Sequence, residues 1–347
     1  MIITINGMFA LIASLKMRMK LTHLGSLAVA LVCSGALACN IPVFRYALER
    51  WRTDVTEIVV LLDEPLTEAQ SQELAKLGYR PGEPANQSRP VTFRLVETHQ
   101  DLSAEDQSLW NSVKANRDLS FPYLVIRNSY RRGPIHVWQG ALNDSGTRQL
   151  VQSPVRDELA RRLLSGHSIV WLMVRSADET RNLEARQVIQ EQCRVLSRSV
   201  KLPEGIGLPG SELFSNIPLL LKFSLLEIDP SDVNESFLVS LFSAYQPAAV
   251  QEGVPLVIPV FGRGRALEVV PADQLDTTLI ADLTQFLCAA CSCQVKEQNP
   301  GFDLLLSVNW DQELFGEGGM LPPPPNSPGS GGKAAGPRLL TIPSGHK

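Results

Sequence analysis

The sequence lacks the dense basic charge and the histidine patterns that several functional classes require. Its 347 residues carry a net charge of −4 at pH 7 and only five histidines. A general nucleic-acid binder needs a dense basic surface to displace counterions from phosphates, so this class is disfavoured. His99, His136 and His167 fall on different predicted elements without i, i+4 pairing, which argues against metal-hydrolase chemistry. The sequence therefore predicts no nucleic-acid partner and no histidine-based metal site.

The sequence also lacks an apolar run long enough for a retained membrane-spanning helix. Its beginning instead has three consecutive zones: basic residues at 16–20, an apolar run at 24–32 and small residues at 35–38. This layout is typical of a bacterial secretory signal. We therefore predict that residues 1–38 are a signal peptide and that the protein is exported. Translation could begin at Met1, Met17 or Met19, and the later starts would leave a signal of ordinary length.

Two interpretations of the cleavage point remain open. Ala36 and Ala38 suit an ordinary signal peptidase, which would release a soluble periplasmic protein. Cys39 directly after the cut suits a lipoprotein signal, because its thiol would take the lipid and anchor the protein to the membrane. Removing residues 1–38 takes away Lys16, Arg18 and Lys20 and no acidic residue, so three positive charges are lost and the net charge moves from −4 to about −7.

Cysteine is scarce, and five thiols remain after the predicted cleavage: Cys39, Cys193, Cys288, Cys291 and Cys293. Disulfides are the default in an exported protein, and we expect Cys39 to approach Cys291 or Cys293. A soft Zn²⁺ or Cu(I) site built from Cys39, Cys288, Cys291 and Cys293 is an alternative. However, zinc ribbons usually carry two Cys-x-x-Cys pairs, and only one is present here. Cys193, in a predicted long helix, is expected to pack in the core.

Hydrophobic periodicity predicts the same order of elements, β-α-β-α-β-β-α, in each half of the chain. In the first half we expect strands at 57–62, 91–96, 123–127 and 135–139 and helices at 67–78, 104–113 and 153–164. In the second half we expect strands at 168–174, 222–228, 255–261 and 266–270 and helices at 178–200, 235–244 and 276–290.

A proline stands just before the third strand of each half, at Pro122 and Pro255. This element order with its proline resembles the thioredoxin-like fold, in which that proline is usually cis. The resemblance implies an α/β protein of two tandem thioredoxin-like repeats with mixed sheets, at 39–166 and 167–311, and cis bonds at both prolines. Residues 312–347, rich in proline and glycine, are predicted to be a disordered tail.

The cysteine pair of thioredoxin-like oxidoreductases is missing from both halves. Between the first strand and first helix stand residues 63–66 (DEPL) and residues 175–178 (RSAD). The resemblance therefore implies no redox chemistry at the usual position. We predict a non-catalytic binding or scaffold protein with no catalytic residues and no cofactor, acting on an unknown protein or small-molecule ligand. The alternative is a thiol oxidoreductase or a copper or zinc chaperone that uses Cys288, Cys291 and Cys293.

Two long strings of residues also resemble a family of exported bacterial proteins. They are CNIPVFRYALERW at 39–51 and CSCQVKEQNPGFDLL at 291–305. The resemblance would cover residues 39–311. It implies export, and it does not imply any catalytic activity or ligand.

Overall fold

The computed structural model describes residues 40–82, 91–115, 119–129, 134–143, 150, 153–291 and 295–316. The predicted signal peptide, most of the predicted tail, Cys39 and Cys293 lie outside these residues. Within them the chain is an α/β protein with two mixed sheets. Among the described residues, no helix is both long and apolar enough to cross a membrane.

The first unit follows a short helix, α1 (Val43–Arg50). Its elements are β1 (Thr56–Leu62), α2 (Glu68–Lys76), β2 (Val91–Glu97), α3 (Ala104–Val113), β3 (Tyr123–Ser129), β4 (Pro134–Ala141) and α4 (Pro154–Leu164). The sheet order is β2-β1-β3-β4, with β2 parallel to β1, β3 antiparallel to β1 and β4 antiparallel to β3. Because β1 lies inside the sheet and is covered on both faces, residues 58–62 are all buried, which explains their continuous apolar run.

The second unit repeats this order. Its elements are β5 (Ile169–Val174), α5 (Glu179–Ser199), β6 (Phe223–Ile228), α6 (Ser236–Tyr245), α7 (Pro247–Gln251), β7 (Leu256–Phe261), β8 (Arg265–Ala266), β9 (Val270–Pro271) and α8 (Thr277–Cys288), followed by β10 (Phe302–Asp303) and α9 (Trp310–Phe315). The sheet order is β6-β5-β7-β8-β10, and β9 also pairs with β7. Again the first strand lies between a parallel second strand and an antiparallel third strand. The prediction of two tandem thioredoxin-like repeats with mixed sheets is therefore confirmed.

Side-chain caps mark the starts of several of the predicted helices. Thr67 and Gln70 form a capping box at the start of α2, each side chain bonding the other's backbone N–H. Ser153 accepts a hydrogen bond from Arg156 N and is followed by Pro154 in the first turn of α4. Asp276 caps α8 in the same way. These local bonds satisfy donors at helix ends that would otherwise be unpaired.

The two units share one core. Leu159 and Leu163 of α4 belong to the same buried cluster as Ile58 in the first sheet and Leu172 in the second. The carboxylate of Glu235, which is fully buried, accepts hydrogen bonds from Ser153 Oγ at 2.6 Å and Val155 N at 2.9 Å. A residue of the second unit therefore completes the N-terminus of a helix of the first.

Helix α1 packs on the second sheet, although it precedes the first unit in the chain. Most of its apolar residues share a cluster with Trp171 and Cys288, while Leu48 belongs to the core that the two units share. Pro42 and Ala290 form an antiparallel bridge, flanked by the bonds Val43 N to Ala289 O and Cys291 N to Ile41 O. The beginning of the described chain is thus paired with the segment that follows α8.

The two proline predictions have different outcomes. The peptide bond between Phe121 and Pro122 is cis, as expected. It is the only cis bond among the described residues, so the prediction of a cis bond at Pro255 is wrong. The trans form of an X–Pro bond is favoured by about 0.5–1 kcal/mol unless tertiary contacts select cis, and the position of a proline in the sequence does not reveal those contacts.

Candidate functional site

The positions that carry thiols in thioredoxin-like oxidoreductases are turns in this protein. Asp63 and Glu64, after β1, are exposed to solvent. After β5, the buried side chain of Asn182 bonds both the N–H and the C=O of Ser176, and Asp178 caps α5. Hydrogen bonds fix the conformation of this second turn, and neither position carries a cysteine that could present a redox thiol.

The described cysteines are buried. Cys288 is the last residue of α8 and is 1% exposed, while Cys291 is 4% exposed. Cys193 and Cys288 are free thiols, and burial raises the pKa of each to about 12. A thiol with so high a pKa carries almost no thiolate at neutral pH and is a poor nucleophile or metal ligand.

No metal site forms among the residues that the structure describes. No group of three His, Cys, Asp or Glu side chains is placed there to hold an ion. Two members of the predicted four-thiol set, Cys39 and Cys293, lie outside that part of the chain. The pairing of Ile41 with Cys291 does bring the residues next to Cys39 against the cysteine cluster.

The arginines of the Gly262–Arg265 turn are structural. Arg263 Nε donates to Leu48 O at 2.8 Å and Nη1 pairs with Asp311. Arg265 pairs with Asp303 at 2.9 Å and donates to three carbonyls at 299–301. Both guanidinium groups are fully engaged in holding α1 and the C-terminal segment to the second sheet, so they are not available to bind an anion.

A cavity of about 520 Å³ lies between α5 and β6, the outer strand of the second sheet. We call it the α5–β6 groove. Helix α5 contributes four residues at i, i+3, i+4 and i+7 spacing, which places them on one face of the helix: Gln190, Cys193, Arg194 and Ser197. The strand side is residues 221–225.

The floor of the α5–β6 groove is apolar. Leu221, Phe223 and Leu225 alternate along the strand, so their side chains lie on one face of it. Cys193 lies opposite on α5, and it and Phe223 are each 9% exposed. The polar and exposed residues Gln190, Arg194 and Ser197 form the rim on the helix side.

The outer edge of β6 is occupied by an arginine from the first unit. Arg162, in the last turn of α4, donates through Nη1 to Leu225 O at 2.7 Å and to Ser224 Oγ at 3.2 Å. His167 Nδ1 lies 2.9 Å from the same hydroxyl. Charged side chains placed over an edge strand discourage pairing with another strand. Arg162 therefore protects this edge.

Positive charge predominates at the outer edge of β6, on the side of the sheet that α4 covers. Arg161 and Arg162 share one carboxylate, that of Glu158. Arg194 pairs with Glu191. Burial and the nearby charges of Lys222, Arg162 and Arg161 lower the pKa of His167 to about 4. The histidine is therefore neutral at pH 7.

Sequence analysis did not identify this groove. Cys193 was predicted to be a core residue, and it is buried, but its side chain also lines the cavity. The signal that could have found the site is the length of α5 together with the alternating apolar residues 221, 223 and 225. A long helix beside an outer strand leaves a cleft only if no side chain fills it, and that condition depends on packing.

Comparisons with known proteins add little to the assignment of the fold. No family model matches the chain and no curated protein matches it. A search of solved structures finds a chain described as the first two thioredoxin domains of Naumovozyma dairenensis Eps1p. It is 11% identical, covers 70% of this chain and 95% of that chain, and has a TM-score of 0.17.

At that TM-score the similarity carries no argument, so strand order alone defines the class of the protein: two tandem thioredoxin-like units without the cysteine pair. The resemblance of residues 39–51 and 291–305 to exported bacterial proteins has no matching family model and stays a prediction.

Proposed function

We propose that this is an exported, non-catalytic binding protein whose ligand occupies the α5–β6 groove. The observation that carries the proposal is an open groove of about 520 Å³ with apolar side chains along its floor and polar side chains at its rim. Its volume falls within the range of about 300–1,000 Å³ that is usual for ligand pockets in proteins. The cavity also lies away from the turns that carry redox thiols in related folds.

The thiol alternative has less support. It requires reactive thiolates, whereas burial raises the pKa of Cys288 to about 12 and leaves Cys291 only 4% exposed. Redox exchange or metal transfer would then depend on Cys39 and Cys293, which are outside the described residues. A binding role does not require reactive cysteines.

Export is supported by the three zones of the sequence before Cys39. We propose a periplasmic protein or a lipoprotein anchored through Cys39. The binding role is compatible with both forms, because the groove lies on α5 and β6 and does not involve the N-terminal segment.

The groove can be tested with the neutral fluorophore 1-aminoanthracene as a probe. We expect saturable binding of one probe per chain, followed by fluorescence. Replacing Ser197 with Trp should fill the cavity and weaken binding at least tenfold. Ser199→Trp is the matched control, since both serines are exposed on α5 and donate to a carbonyl in the preceding turn, but only Ser197 lines the cavity. Equal binding by the native protein and Ser197→Trp would overturn the proposal.

A further inference from the structure

We infer that, in the lipoprotein form of this protein, the loop at residues 205–211 faces the membrane and places Leu208 among the lipids. The inference rests on the lipoprotein form proposed above and does not depend on the ligand of the α5–β6 groove. Its support comes from the position of the loop, from its apolar tip and from the hydrogen bonds of its backbone.

The loop packs against Asn40, the first residue after the predicted point of lipid attachment. The backbone N–H of Asn40 donates to Ser211 Oγ at 3.0 Å. Gly205 has a φ of +82°, and a Cβ at this position would lie 2.9 Å from Nδ2 of Asn40 and 3.6 Å from Cδ1 of Leu208. The side chains of Asn40 and Leu208 therefore both lie beside the same glycine, at the same place on the surface.

A lipid on Cys39 would hold this place at the bilayer. Consecutive Cα atoms are about 3.8 Å apart, so the lipid-bearing residue is next to one that contacts the loop. Beyond Asn40, the chain is fixed by the bond from Cys291 N to Ile41 O at 2.9 Å and the bond from Val43 N to Ala289 O at 3.0 Å. Because hydrogen bonds hold the chain to the fold from Asn40 onward, the lipid would bring the loop directly to the bilayer surface.

The tip of the loop is apolar and exposed. Leu208 is 61% exposed, and Pro209 beside it is also exposed. The seven residues 205–211 (GIGLPGS) include no charged side chain. Single exposed leucines are common on protein surfaces, but this one lies beside the predicted anchor. Its entry among lipid chains would remove apolar surface from water, which is favourable roughly in proportion to the area buried.

The backbone of the tip is suited to leaving water. From residue 207 to residue 211, every backbone N–H is bonded within the protein, apart from Pro209, which has none. The bonds are Gly207 N to Ser211 O, Leu208 N to Gly205 O, Gly210 N to Glu212 Oε1 and Ser211 N to Leu208 O. An unpaired N–H is costly away from water. The tip can therefore contact lipid without leaving these donors unpaired.

Vesicles with brominated acyl chains test the depth of residue 208, because bromine quenches tryptophan only at close range. The mature protein, purified from membranes, is reconstituted into phosphatidylcholine vesicles with and without brominated chains. We expect the emission that Leu208→Trp adds to fall by about half in the brominated vesicles. The native protein gives the background of its five tryptophans.

Val233→Trp is the matched control. Val233 is 67% exposed and follows the end of β6, whereas the 205–211 loop precedes the start of that strand. Since the two positions lie beyond opposite ends of β6, the emission that Val233→Trp adds should change by less than about one tenth.

The outcomes separate this inference from the proposals on which it rests. An unmodified Cys39 in the mass of the mature protein would overturn the lipoprotein form and this inference together, while the groove and its fluorophore test would stand. A lipid on Cys39 with equal quenching of the two variants, or with no quenching at residue 208, would overturn this inference alone.

Discussion

The two units have the same strand order but differ in the length of the helix that follows the first strand, and the α5–β6 groove of the second unit depends on that length. The helix after the first strand has nine residues in the first unit (α2) and 21 in the second (α5). At 1.5 Å per residue these are about 14 Å and 32 Å long. The groove begins at Gln190, which is the twelfth residue of α5, because α5 starts at Glu179. A helix as short as α2 would end before any of the four lining positions.

The units also differ in where they place their ion pairs. In the first unit Arg94 of β2 and Arg127 of β3 bind Glu57 and acidic residues of α3 on a partly exposed face of the sheet. In the second unit Arg265 and Asp303 form a pair in which each side chain is 6% exposed. The same topology thus has a partly exposed network of ion pairs in the first unit and a buried ion pair in the second.

The largest expected effect concerns the pairing of residues 41–43 with residues 289–291 of the second unit. This pairing has no counterpart in the described part of the first unit. Continued outward by three residues in each direction, the antiparallel register of Pro42 and Ala290 would bring Cys39 opposite Cys293. We predict a disulfide from Cys39 to the cluster if Cys39 is not lipidated. Chain-entropy models assign a closure of about 250 residues roughly 5 kcal/mol, although measured gains are often smaller.

Mass spectrometry of unreduced peptides from the mature protein tests this bond. Cys39→Ser should lower the free energy of unfolding to that of the reduced native protein, whereas Cys193→Ser should leave the bond intact. A lipid on Cys39 would exclude the disulfide and assign the protein to the membrane, and Cys39→Ser would then move it to the soluble fraction.

The next largest effect is on stability, which we expect to depend more on the buried ion pair than on the exposed ones. We expect Arg265→Ala to lower the free energy of unfolding by about 3–5 kcal/mol, because it leaves the buried Asp303 carboxylate with less compensation. Arg94→Ala in the first unit should cost about 1 kcal/mol or less, because its side chain is 29% exposed and water replaces the lost contacts. Urea denaturation of both variants measures the difference. Equal losses would show that burial does not distinguish the two networks.

The smallest effect is on pH dependence beside the groove. In the folded protein the pKa of His167 is about 4, below its ordinary value of 6.5, so the folded state binds this proton less readily than the unfolded state. The corresponding stability is fully present above pH 6.5 and is lost as the pH falls towards 4. The change should be modest, because the ring is only partly buried among Lys222, Arg162, Arg161, Glu158 and Ser224.

Replacing His167 with Gln should therefore flatten the dependence of the urea midpoint on pH between 6.5 and 4. His99→Gln is the control, because His99 is exposed on the first unit. An unchanged slope in the His167 variant would contradict the lowered pKa.

Much of the fold could be predicted from local patterns. The bounds of α3 and the start of α4 at Pro154 agree with expectation, because periodicity and caps are encoded within a few residues. Helix α1 was not predicted: it has no side-chain cap, and its polar residues Arg45 and Glu49, which pair at i, i+4 spacing, are buried instead of facing solvent.

By itself the sequence determined the order of elements, the duplication of that order and the absence of thiols from both turns that carry them in related enzymes, because these are properties of short segments. The tertiary structure decided which segments meet: α1 on the second sheet, Glu235 beneath α4, Arg162 over the edge of β6 and Cys193 beside Phe223. These contacts join residues far apart in the chain. Their formation depends on how helices and sheets fill space together, and no local periodicity records that packing.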